Sequence, residues 1–517
     1  MATLELEGIG GKPVAGTYEP DLASCMIAHT LTPYSTVVNT GLFINNAFVP
    51  AAGGSTLQIE NPTTGKFLAT VSAAQRSDVD AAVAAAKAAF EGPWGTLPPE
   101  KRGQLLNKLA DLIERDADDL ASLEALDAGI LFGESKGLHI PQAAATLRYF
   151  AGWADKITGQ LLRIPQGHAY TTRDPLGVCG AIVPWNAPLM ITCWKLAPAI
   201  AAGNTLVIKT PEAAPLYGQK LALLVREAGF PPGAINVLCG LGAVAGQALA
   251  EHMQVRKISF TGSPGVGRRI LRAAADTNFK KVTLELGGKG PSIVFADADL
   301  ENALFWTTLG ITANNGQVCA AGSRIYVEAH IYDSFLFAFA ERIANYSVGN
   351  PLQPSTTKGP VINAAQKEKI LAYIDKAKAS SIRPLSVGEP IVREGHFVPN
   401  SAFADVPEDA AIMREEIFGP LASIARFTTE SEAIAKANST EYGLSAAIFT
   451  NNVSRAGRVS SQIQAGQVTI NCWGVLHANT PFGGVKQSGF GRDMGEEALD
   501  SWLSTKTVKY NTLPSRM

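Results

Sequence analysis

One cysteine and one glutamate have neighbours that leave room for chemistry. Cys319 lies in the run NNGQVCAAG (314–322), whose small residues would let a substrate carbonyl approach the sulfur atom. Glu285 ends an apolar run and precedes Gly287 and Gly288, which can turn the chain so that the carboxylate faces a cleft. The thiolate is the attacking form of cysteine, and an ordinary thiol has a pKa of about 8.5, so we expect nearby dipoles or charges to lower the pKa of Cys319. The two residues predict covalent catalysis assisted by a base, although an isolated cysteine is more often a buried, inert thiol.

Four segments together resemble one enzyme family. They are the cysteine segment, TLELGGKG (283–290), PWN (184–186) and EEIFGP (415–420). From about Phe43 to about Tyr510, the chain resembles the NAD(P)-dependent aldehyde dehydrogenases. The resemblance implies that Cys319 is the nucleophile and that Glu285 is the general base, activating water to hydrolyse the thioester formed on the cysteine. The expected reaction is oxidation of an aldehyde to its carboxylate; a coenzyme-A-acylating relative generally lacks this base.

Asn186 is the predicted oxyanion donor. It follows an apolar run, at the end of a strand where α/β sheets place their ligands. Its side-chain NH2 can donate to the developing oxyanion, with the backbone N–H of Cys319 as the second donor. The alternative is that Asn186 caps the helix that begins near Pro188.

A glycine-rich turn predicts where a dinucleotide would bind. The segment GSPGVG (262–267) follows a strand-like run and opens a helix, so its backbone N–H groups and the helix dipole can meet a pyrophosphate. The spacing differs from the common G-x-G-x-x-G pattern and resembles the modified dinucleotide site of the family. A second glycine pair, Gly240 and Gly242, is interpreted as a tight loop.

The resemblance also assigns contacts to the cofactor sugars. Lys209 and Glu212 match the adenosine-ribose clamp, and Glu212 would repel a 2′-phosphate, so NAD is favoured over NADP. Glu416 matches the nicotinamide-ribose contact and Phe418 its packing partner, although the acidic pair at 415–416 alone would suggest a solvated surface. The predicted cofactor-binding residues are Pro184, Trp185, Lys209, Glu212, Gly262, Ser263, Gly267, Leu286, Glu416 and Phe418.

Lys195 and Asp493 match positions proposed in the family to relay a proton away from the base. The acidic position of this relay is commonly glutamate, so Asp493 is a departure from the pattern. No metal site is predicted, because the cysteines are scattered and have no neighbouring histidine at metal-ligand spacing. No histidine falls within the motifs above, which gives no support to a cysteine–histidine hydrolase.

Small or aliphatic residues stand at four positions that carry bulky or polar groups lining the aldehyde tunnel in many family members: Ala187, Ala313, Gly474 and Leu476. The predicted apolar walls of this pocket are Met190, Ile191, Trp194, Val318 and Phe482. We therefore expect a wide apolar tunnel for a bulky aldehyde. The alternative is that neighbouring loops fill the space and that specificity is ordinary.

The elements that must position these residues form an α/β pattern. Apolar spacing predicts a helix over about 77–91, with a capping-box-like start over Ser77–Asp80, and a second helix from Pro98 onward. Short β-branched runs then alternate with helix-length segments, which predicts a parallel sheet. Runs predicted as strands are 178–183, 205–208, 234–238, 257–260, 281–284, 291–295, 323–327 and 467–470.

The resemblance implies an aldehyde-dehydrogenase-like fold with a Rossmann-like cofactor domain, an α/β catalytic domain and a small oligomerisation hairpin. The expected divisions are an amino-terminal arm over 1–40, an NAD-binding domain over 41–155 and 174–287, oligomerisation segments over 156–173 and 503–512, and a catalytic domain over 288–487. A homodimer or homotetramer is implied by analogy.

Composition excludes some partners. Acidic residues number 46 and basic residues 44, so the formal net charge of −2 gives no electrostatic reason to expect nucleic acid or a membrane surface. The most apolar stretch, 188–203, is interrupted by Lys195 and is too short to cross a bilayer. We expect a small-molecule substrate and a cytoplasmic protein; the alternative is a peroxisomal one, because the carboxyl-terminal Ser515-Arg516-Met517 is a variant of the peroxisomal address.

Two other functions are consistent with the same motifs. One is a family member that has lost activity and serves a structural or binding role. The other is an esterase that acts through Cys319 without a cofactor.

Overall fold

The computed structural model describes residues 4–6, 34–36, 38–165 and 167–511. The described chain alternates strands and helices, so the predicted α/β class is confirmed. The predicted address at 515–517 lies outside the described residues. Within these ranges, no helix has both the length and the apolar character needed to span a bilayer.

The strands of the described chain, in order, are β1 Leu4–Leu6, β2 Tyr34–Thr36, β3 Leu42–Ile44, β4 Ala47–Val49, β5 Thr56–Asn61, β6 Lys66–Ser72, β7 Leu161–Ile164, β8 Gly167–Pro175, β9 Val178–Ile182, β10 Thr205–Thr210, β11 Ile235–Cys239, β12 Lys257–Thr261, β13 Lys281–Glu285, β14 Pro291–Val294, β15 Arg324–Glu328, β16 Arg383–Val387, β17 Ser401–Ala404, β18 Leu421–Phe427, β19 Ser445–Phe449, β20 Gln467–Ile470, β21 Gly489–Phe490 and β22 Leu503–Asn511.

The α-helices, in order, are α1 Arg76–Glu91, α2 Pro99–Arg115, α3 Ala117–Asp127, α4 Phe132–Glu134, α5 Ile140–Ala151, α6 Pro188–Ala201, α7 Leu216–Ala228, α8 Gln247–Glu251, α9 Pro264–Ala275, α10 Leu300–Thr312, α11 Tyr332–Ala344, α12 Ala364–Ala379, α13 Ala411–Arg414, α14 Glu430–Asn438, α15 Val453–Ser460 and α16 Glu497–Asp500.

Both helices predicted in the amino-terminal half are present, as α1 and α2. The capping interaction of α1 lies two residues earlier than expected. The helix is entered from Gln75, whose backbone N–H donates to the Asp78 carboxylate at 2.8 Å, while Ser77 is already inside the helix. The capping box therefore joins Gln75 and Asp78, not the predicted pair of Ser77 and Asp80.

The first large sheet has the strand order β21-β13-β12-β9-β10-β11-β3-β4. Strands β9 to β13 are parallel, and the antiparallel strands β21, β3 and β4 lie at the edges. These parallel strands match the predicted runs to within one or two residues, which confirms the Rossmann-like sheet. From β9 the chain adds β10 and β11 on one side and β12 and β13 on the other, so the strand order reverses beside β9.

Helices cover both faces of this sheet. One core includes Leu109 of α2, Leu147 of α5 and Leu196 of α6. On the opposite face, Val79 of α1 and Ile270 of α9 belong to a second core. Burial on both faces explains why the strands read as continuous apolar runs.

The second large sheet has the order β16-β17-β18-β15-β14-β19-β20 and is parallel except for the antiparallel edge strand β16. The strands predicted at 291–295, 323–327 and 467–470 are β14, β15 and β20. The segment before β15 carries the predicted nucleophile.

The segments predicted to serve oligomerisation pair with each other. Strands β7 and β8 form a hairpin, and the whole of β22 runs antiparallel to β8, giving a three-stranded sheet. Within the predicted arm, β1 and β2 form a short antiparallel pair.

Candidate active site

Three strand ends meet where the order of the first sheet reverses. Strands β9, β12 and β13 lie side by side, so their carboxyl ends deliver the segment 184–186, the segment 261–263 and Glu285 to one edge of the sheet. Ligands of open α/β sheets bind in the crevice at this edge. The second sheet supplies Cys319 from the loop before β15, so the site lies between the two sheets.

The loop before Cys319 has an unusual backbone. Asn314, Asn315 and Gly316 are consecutive left-handed residues, with φ of 42°, 55° and 68°. Asparagine tolerates this conformation better than most residues. At Gly316, a Cβ would also meet the Gly419 carbonyl oxygen at 2.3 Å, so only glycine fits. The buried Lys358 donates to Asn315 Oδ1 at 2.8 Å, and this bond helps to hold the loop in place.

The candidate nucleophile and base are in contact. Cys319 Sγ lies 3.7 Å from Glu285 Oε1, and Thr261 Oγ1 donates to the other carboxylate oxygen, Oε2, at 3.1 Å. Burial and the negative charge of Asp493 raise the pKa of Glu285 to about 8. The thiol can therefore donate to a carboxylate that is close enough to take its proton.

The expected lowering of the Cys319 pKa is wrong for this structure. Burial, followed by the charges of Glu285 and Glu416, raises the pKa of the thiol well above its usual value. The sequence could not reveal this effect, because the two acidic residues approach the sulfur only in the folded chain. This direction favours activation by transfer of the thiol proton to a neighbour such as Glu285.

Asn186 is interlocked with the nucleophile loop. Its Nδ2 donates to the Gln317 carbonyl oxygen at 2.8 Å, and Asn314 Nδ2 donates to the Asn186 carbonyl oxygen at 2.8 Å. The alternative role as a helix cap does not hold, since Ala187 occupies the cap position of α6. A side-chain amide nitrogen carries two hydrogens, so the second can point toward a substrate oxygen.

The predicted relay pair lies beside the base. Lys195 Nζ donates to Asp493 Oδ2 at 2.7 Å, and both side chains are buried. Asp493 also exchanges two backbone hydrogen bonds with Phe482, at 2.7 and 2.8 Å. The charges of Asp493 and Lys195 act on the pKa of Glu285 in opposite directions.

A cavity of about 200 Å³ opens onto Cys319 and Glu285. Its lining includes most of the residues predicted to bind the cofactor: Pro184, Trp185, Gly262, Ser263, Leu286, Glu416 and Phe418. Ser263 accepts from the backbone N–H of Val266 and so caps α9 at the edge of the cavity. Gly267 does not line the cavity, but a Cβ there would approach Leu286 to 3.0 Å, so this glycine allows α9 to pack closely.

Four residues that line the same cavity were not predicted: Thr261, Gly287, Gln366 and Lys369. Gln366 donates to the Phe418 carbonyl oxygen at 2.8 Å, and Lys369 donates to the Glu416 carbonyl oxygen at 3.2 Å. Both lie on α12, about 50 positions from the acidic motif, without a local motif to mark them. Thr261 could have been found, because it is the last residue of a strand that leads into the glycine-rich turn.

Glu416, in the segment before β18, contacts the glycine pair at 287–288. Its Oε1 accepts from the backbone N–H of Gly288 at 3.0 Å, and a Cβ on Gly287 would fall within 2.4 Å of the same carboxylate. Nearby, the rings of Trp185 and Phe418 stand edge to face with centroids 5.4 Å apart. These contacts leave Glu416 at the rim of the cavity, where a sugar hydroxyl could bind.

Lys209, near the end of β10, forms an ion pair with Glu212, which follows the strand. Burial opposes ionisation of Glu212, but the charge and hydrogen bond of Lys209 lower its pKa. Glu212 also accepts from the backbone N–H of Gly242 at 3.3 Å, so the turn interpreted as a tight loop helps to hold the carboxylate. Neither member of the pair lines the cavity around Cys319.

An apolar cluster surrounds the sulfur on its other side. It brings together the predicted pocket residues Ala187, Met190, Ile191, Trp194, Val318, Leu476 and Phe482, with the unpredicted Ala320, Leu444 and Met494. Trp194 and Phe482 are in contact, with ring centroids 5.1 Å apart. Ala313 and Gly474 are outside this cluster, and the φ of 67° at Gly474 favours glycine whatever the width of the pocket.

Across 38–165 and 167–511, no three histidine, cysteine, aspartate or glutamate residues are grouped as metal ligands.

Comparison with known proteins gives one consistent result. The family model described as "Aldehyde dehydrogenase family" matches residues 48–508. An aldehyde dehydrogenase from Alternaria alternata is 49% identical over 470 residues, covering 91% of this chain and 95% of that protein. An NAD+ complex of an aldehyde dehydrogenase from Bacillus cereus superposes with a TM-score of 0.90 at 41% identity, covering 92% and 97% of the two chains. An indole-3-acetaldehyde dehydrogenase from P. syringae, solved with NAD+ and IAA, has a TM-score of 0.90 at 40% identity and covers 92% and 97%.

Proposed function

This chain belongs to the aldehyde dehydrogenase family, and from that premise we propose that it oxidises an aldehyde to the carboxylic acid with NAD, through a covalent bond to Cys319. The observation that carries the proposal is the 3.7 Å contact between Cys319 Sγ and Glu285 Oε1 at the base of the cavity. A nucleophile, a base and an oxyanion donor meet there beside apolar walls and a capped helix N-terminus.

The first step forms a bond from Cys319 Sγ to the carbonyl carbon, while the thiol proton passes to Glu285. Asn186 Nδ2 and the backbone N–H of Cys319 donate to the oxygen as it becomes negative. NAD, when bound, would supply a hydride acceptor, and loss of hydride would leave the carbon as a thioester on Cys319. Hydride loss thus requires no metal or further oxidant.

Hydrolysis completes the cycle. Glu285 passes its first proton on and then takes one from a water molecule, whose oxygen attacks the thioester carbon. The carbon–sulfur bond breaks, the sulfur regains a proton, and the acid leaves. The buried pair of Lys195 and Asp493 lies beside Glu285 and can carry its protons away. The sum is aldehyde, NAD+ and water giving acid, NADH and a proton.

The residues present fit a dinucleotide. The capped N-terminus of α9 offers backbone N–H groups to a pyrophosphate, and Glu416, with the edge-to-face pair of Trp185 and Phe418, would hold the nicotinamide end. Glu212 presents a carboxylate where an adenosine ribose would bind. We propose NAD rather than NADP, because that carboxylate would repel a 2′-phosphate.

We propose a bulky, apolar aldehyde as the substrate. Seven predicted pocket residues join one apolar cluster with Cys319, and none contributes a charged group. The P. syringae relative carries the name of an aldehyde with an indole ring, which agrees in size. The alternative of ordinary specificity predicts no preference for a bulky aldehyde over acetaldehyde.

We also propose a homodimer or homotetramer. The hairpin strand β7 is an edge of the three-stranded sheet, and its Leu161 and Leu162 are 75% and 42% exposed. An exposed apolar edge strand is a site for pairing with another chain. Light scattering coupled to size exclusion measures this directly.

NADH formation with a panel of aldehydes tests the proposed reaction. We expect absorbance to rise with wild-type protein and NAD, with the acid as product, and to stay flat with Cys319→Ala. A family member that has lost its activity would form no NADH with any aldehyde. An esterase hydrolyses esters but leaves aldehydes unchanged with both NAD and NADP.

A further inference from the structure

Glu124 is a buried acidic residue remote from the motifs above. It lies on α3 with no exposed surface, and its carboxyl group has three partners. Ser135 Oγ donates to Oε2 at 2.6 Å, His139 Nδ1 lies 3.1 Å from the same oxygen, and the backbone N–H of Leu189 donates to Oε1 at 3.1 Å. Burying a carboxyl group costs free energy unless it is hydrogen-bonded, and these three partners offset that cost and fix the position of the group.

The bond to Leu189 supplies a cap that α6 otherwise lacks. This helix begins with Pro188, which has no N–H, and Ala187 at the cap position has no side-chain acceptor. The N–H of Leu189 is therefore one of the orphan donors at the helix N-terminus, and Glu124 satisfies it from a different helix. The residue directly before this cap position is Asn186.

Ser135 and His139 are set by a local irregularity. They are the first and last residues of a single π-helical turn between α4 and α5, and both reach the same oxygen of Glu124. Burial alone would lower the pKa of His139, but the hydrogen bond and charge of Glu124, with the charge of Glu134, outweigh it and raise that pKa. Isolated π-turns are frequent at functional sites.

The same segment also contacts Asn314, which is hydrogen-bonded to Asn186. Glu134 Oε2 accepts from the backbone N–H of Asn314 at 3.3 Å, and Asn314 in turn donates to the Asn186 carbonyl oxygen. Segment 124–139 thus contacts Leu189, three residues after Asn186, and Asn314, which bonds to the Asn186 backbone. An oxyanion donor works only when its hydrogen bond is aimed to within a fraction of an ångström.

We propose that Glu124, clamped by Ser135 and His139, is a positioning residue that aims the Asn186 side chain at the substrate oxygen by fixing the N-terminus of α6. This inference rests on the proposed function. It assigns Glu124 no contact with substrate or cofactor, so its effect on the reaction passes through Asn186.

A double-mutant cycle tests this route. The variants are Glu124→Gln, Asn186→Ala and the combination, and the readout is the single-turnover rate of NADH formation with saturating NAD. Glu124→Gln keeps an oxygen for Leu189 but presents an NH2 group to Ser135 and His139. We expect it to slow NADH formation about 10-fold, less than the 10²–10³-fold loss typical when an oxyanion donor is removed. In the Asn186→Ala background it should have less than about a 2-fold effect.

Asp127 provides a matched control. It is equally buried on the same helix, and its carboxylate accepts from the backbone N–H of Leu216 at 2.8 Å, at the start of α7. Asp127→Asn should lower the unfolding temperature without coupling to Asn186→Ala. His139→Gln leaves the bond to Leu189 intact, so it serves as a milder second variant if Glu124→Gln does not fold.

The outcomes separate the two proposals. If wild-type protein forms no NADH with any aldehyde, the proposed function fails. If wild type is active but Glu124→Gln slows the reaction equally with and without the Asn186 side chain, or has no effect, only the positioning role is overturned. A reduced rate in Glu124→Gln that is lost in the Asn186→Ala background, with an unchanged Kd for NAD, supports it.

Discussion

Lys195 Nζ and Asp493 Oδ2 are joined by a 2.7 Å ion pair that is buried beside the Glu285 carboxylate. The contact with Cys319 is made by Glu285, and the charges of Lys195 and Asp493 act on the pKa of Glu285. Asp493 raises the pKa of Glu285 and Lys195 lowers it, against a background of burial that raises it further. Burial is the main cause of the raised pKa of Glu285, and the pair adjusts that pKa further.

The first prediction concerns this pH dependence. Glu285 is a base only after losing its proton, and its pKa of about 8 means that thioester hydrolysis should accelerate as the pH rises through that value. Asp493→Asn removes a negative charge that holds the proton on, so the acid limb of the kcat profile should move to lower pH. Lys195→Met removes a positive charge and should move it to higher pH. Identical profiles for the three proteins would show that the pair does not tune the base.

The second prediction separates the two chemical steps. Glu285→Gln removes the acceptor of the thiol proton as well as the base that activates water. Thioester formation should therefore slow, and hydrolysis should slow further, by at least about 10²-fold. We expect one equivalent of NADH or less, followed by a stalled reaction, and mass spectrometry should find the acyl group on the Cys319 peptide. Cys319→Ala is the control and should show neither signal. A linear NADH trace at the wild-type rate would remove Glu285 from the mechanism.

The third prediction concerns the backbone that presents the nucleophile. Gly316→Ala places a Cβ 2.3 Å from the Gly419 carbonyl oxygen at a φ of 68°, so we expect a loss of about 3 kcal/mol of unfolding free energy. Gly474 is a matched control, since its φ is 67° but nothing lies within 4 Å of a Cβ built there. Gly474→Ala should cost only the left-handed conformation, about 1 kcal/mol. Denaturant unfolding compares the two, and equal losses would mean that the contact with Gly419 relaxes freely.

The sequence identified the residues that converge on the site chiefly because their motifs resemble those of the family, and the positions of two of them also follow a simple rule. Asn186 and Glu285 both stand at the ends of apolar runs, and parallel strands bring such ends to one edge of a sheet. Cys319 carries its own local signature of small neighbours. These features are local in the sequence, so they could be recognised before the fold was known.

Other parts of the site depend on contacts between distant segments. Gln366 and Lys369 face the cavity only because α12 packs behind the loop that carries Glu416. Glu124 reaches Leu189 across 65 positions, and nothing in its local sequence distinguishes it from a surface glutamate. The direction of the Cys319 pKa shift was mispredicted for the same reason, since burial and two acidic neighbours arise only on folding.

The fourth prediction concerns cofactor choice. Glu212 is held by Lys209 and by the Gly242 backbone N–H, which keeps its carboxylate in place after β10. Glu212→Gln removes the charge but keeps the oxygen, so the ratio of kcat/KM for NAD to that for NADP should fall by about 10-fold or more. Glu416→Gln is the control, because we place it at the nicotinamide end, and it should affect both cofactors alike. An unchanged ratio in Glu212→Gln would place the selectivity elsewhere.

The fifth prediction concerns the width of the substrate pocket. Ala187 packs in the apolar cluster with Cys319 and is 5% exposed, so a phenyl ring at this position would occupy the space that we assign to a bulky aldehyde. Hydrophobic pockets discriminate by about 1–3 kcal/mol, so Ala187→Phe should reduce kcat/KM for an arylacetaldehyde by about 10–100-fold and change that for acetaldehyde far less. Ala313→Phe is the matched control, because Ala313 lies outside the cluster. Equal losses on both aldehydes in Ala187→Phe would mean that the ring disturbs Asn186 next to it, and a wild-type preference for acetaldehyde would show that the pocket is not adapted to bulk.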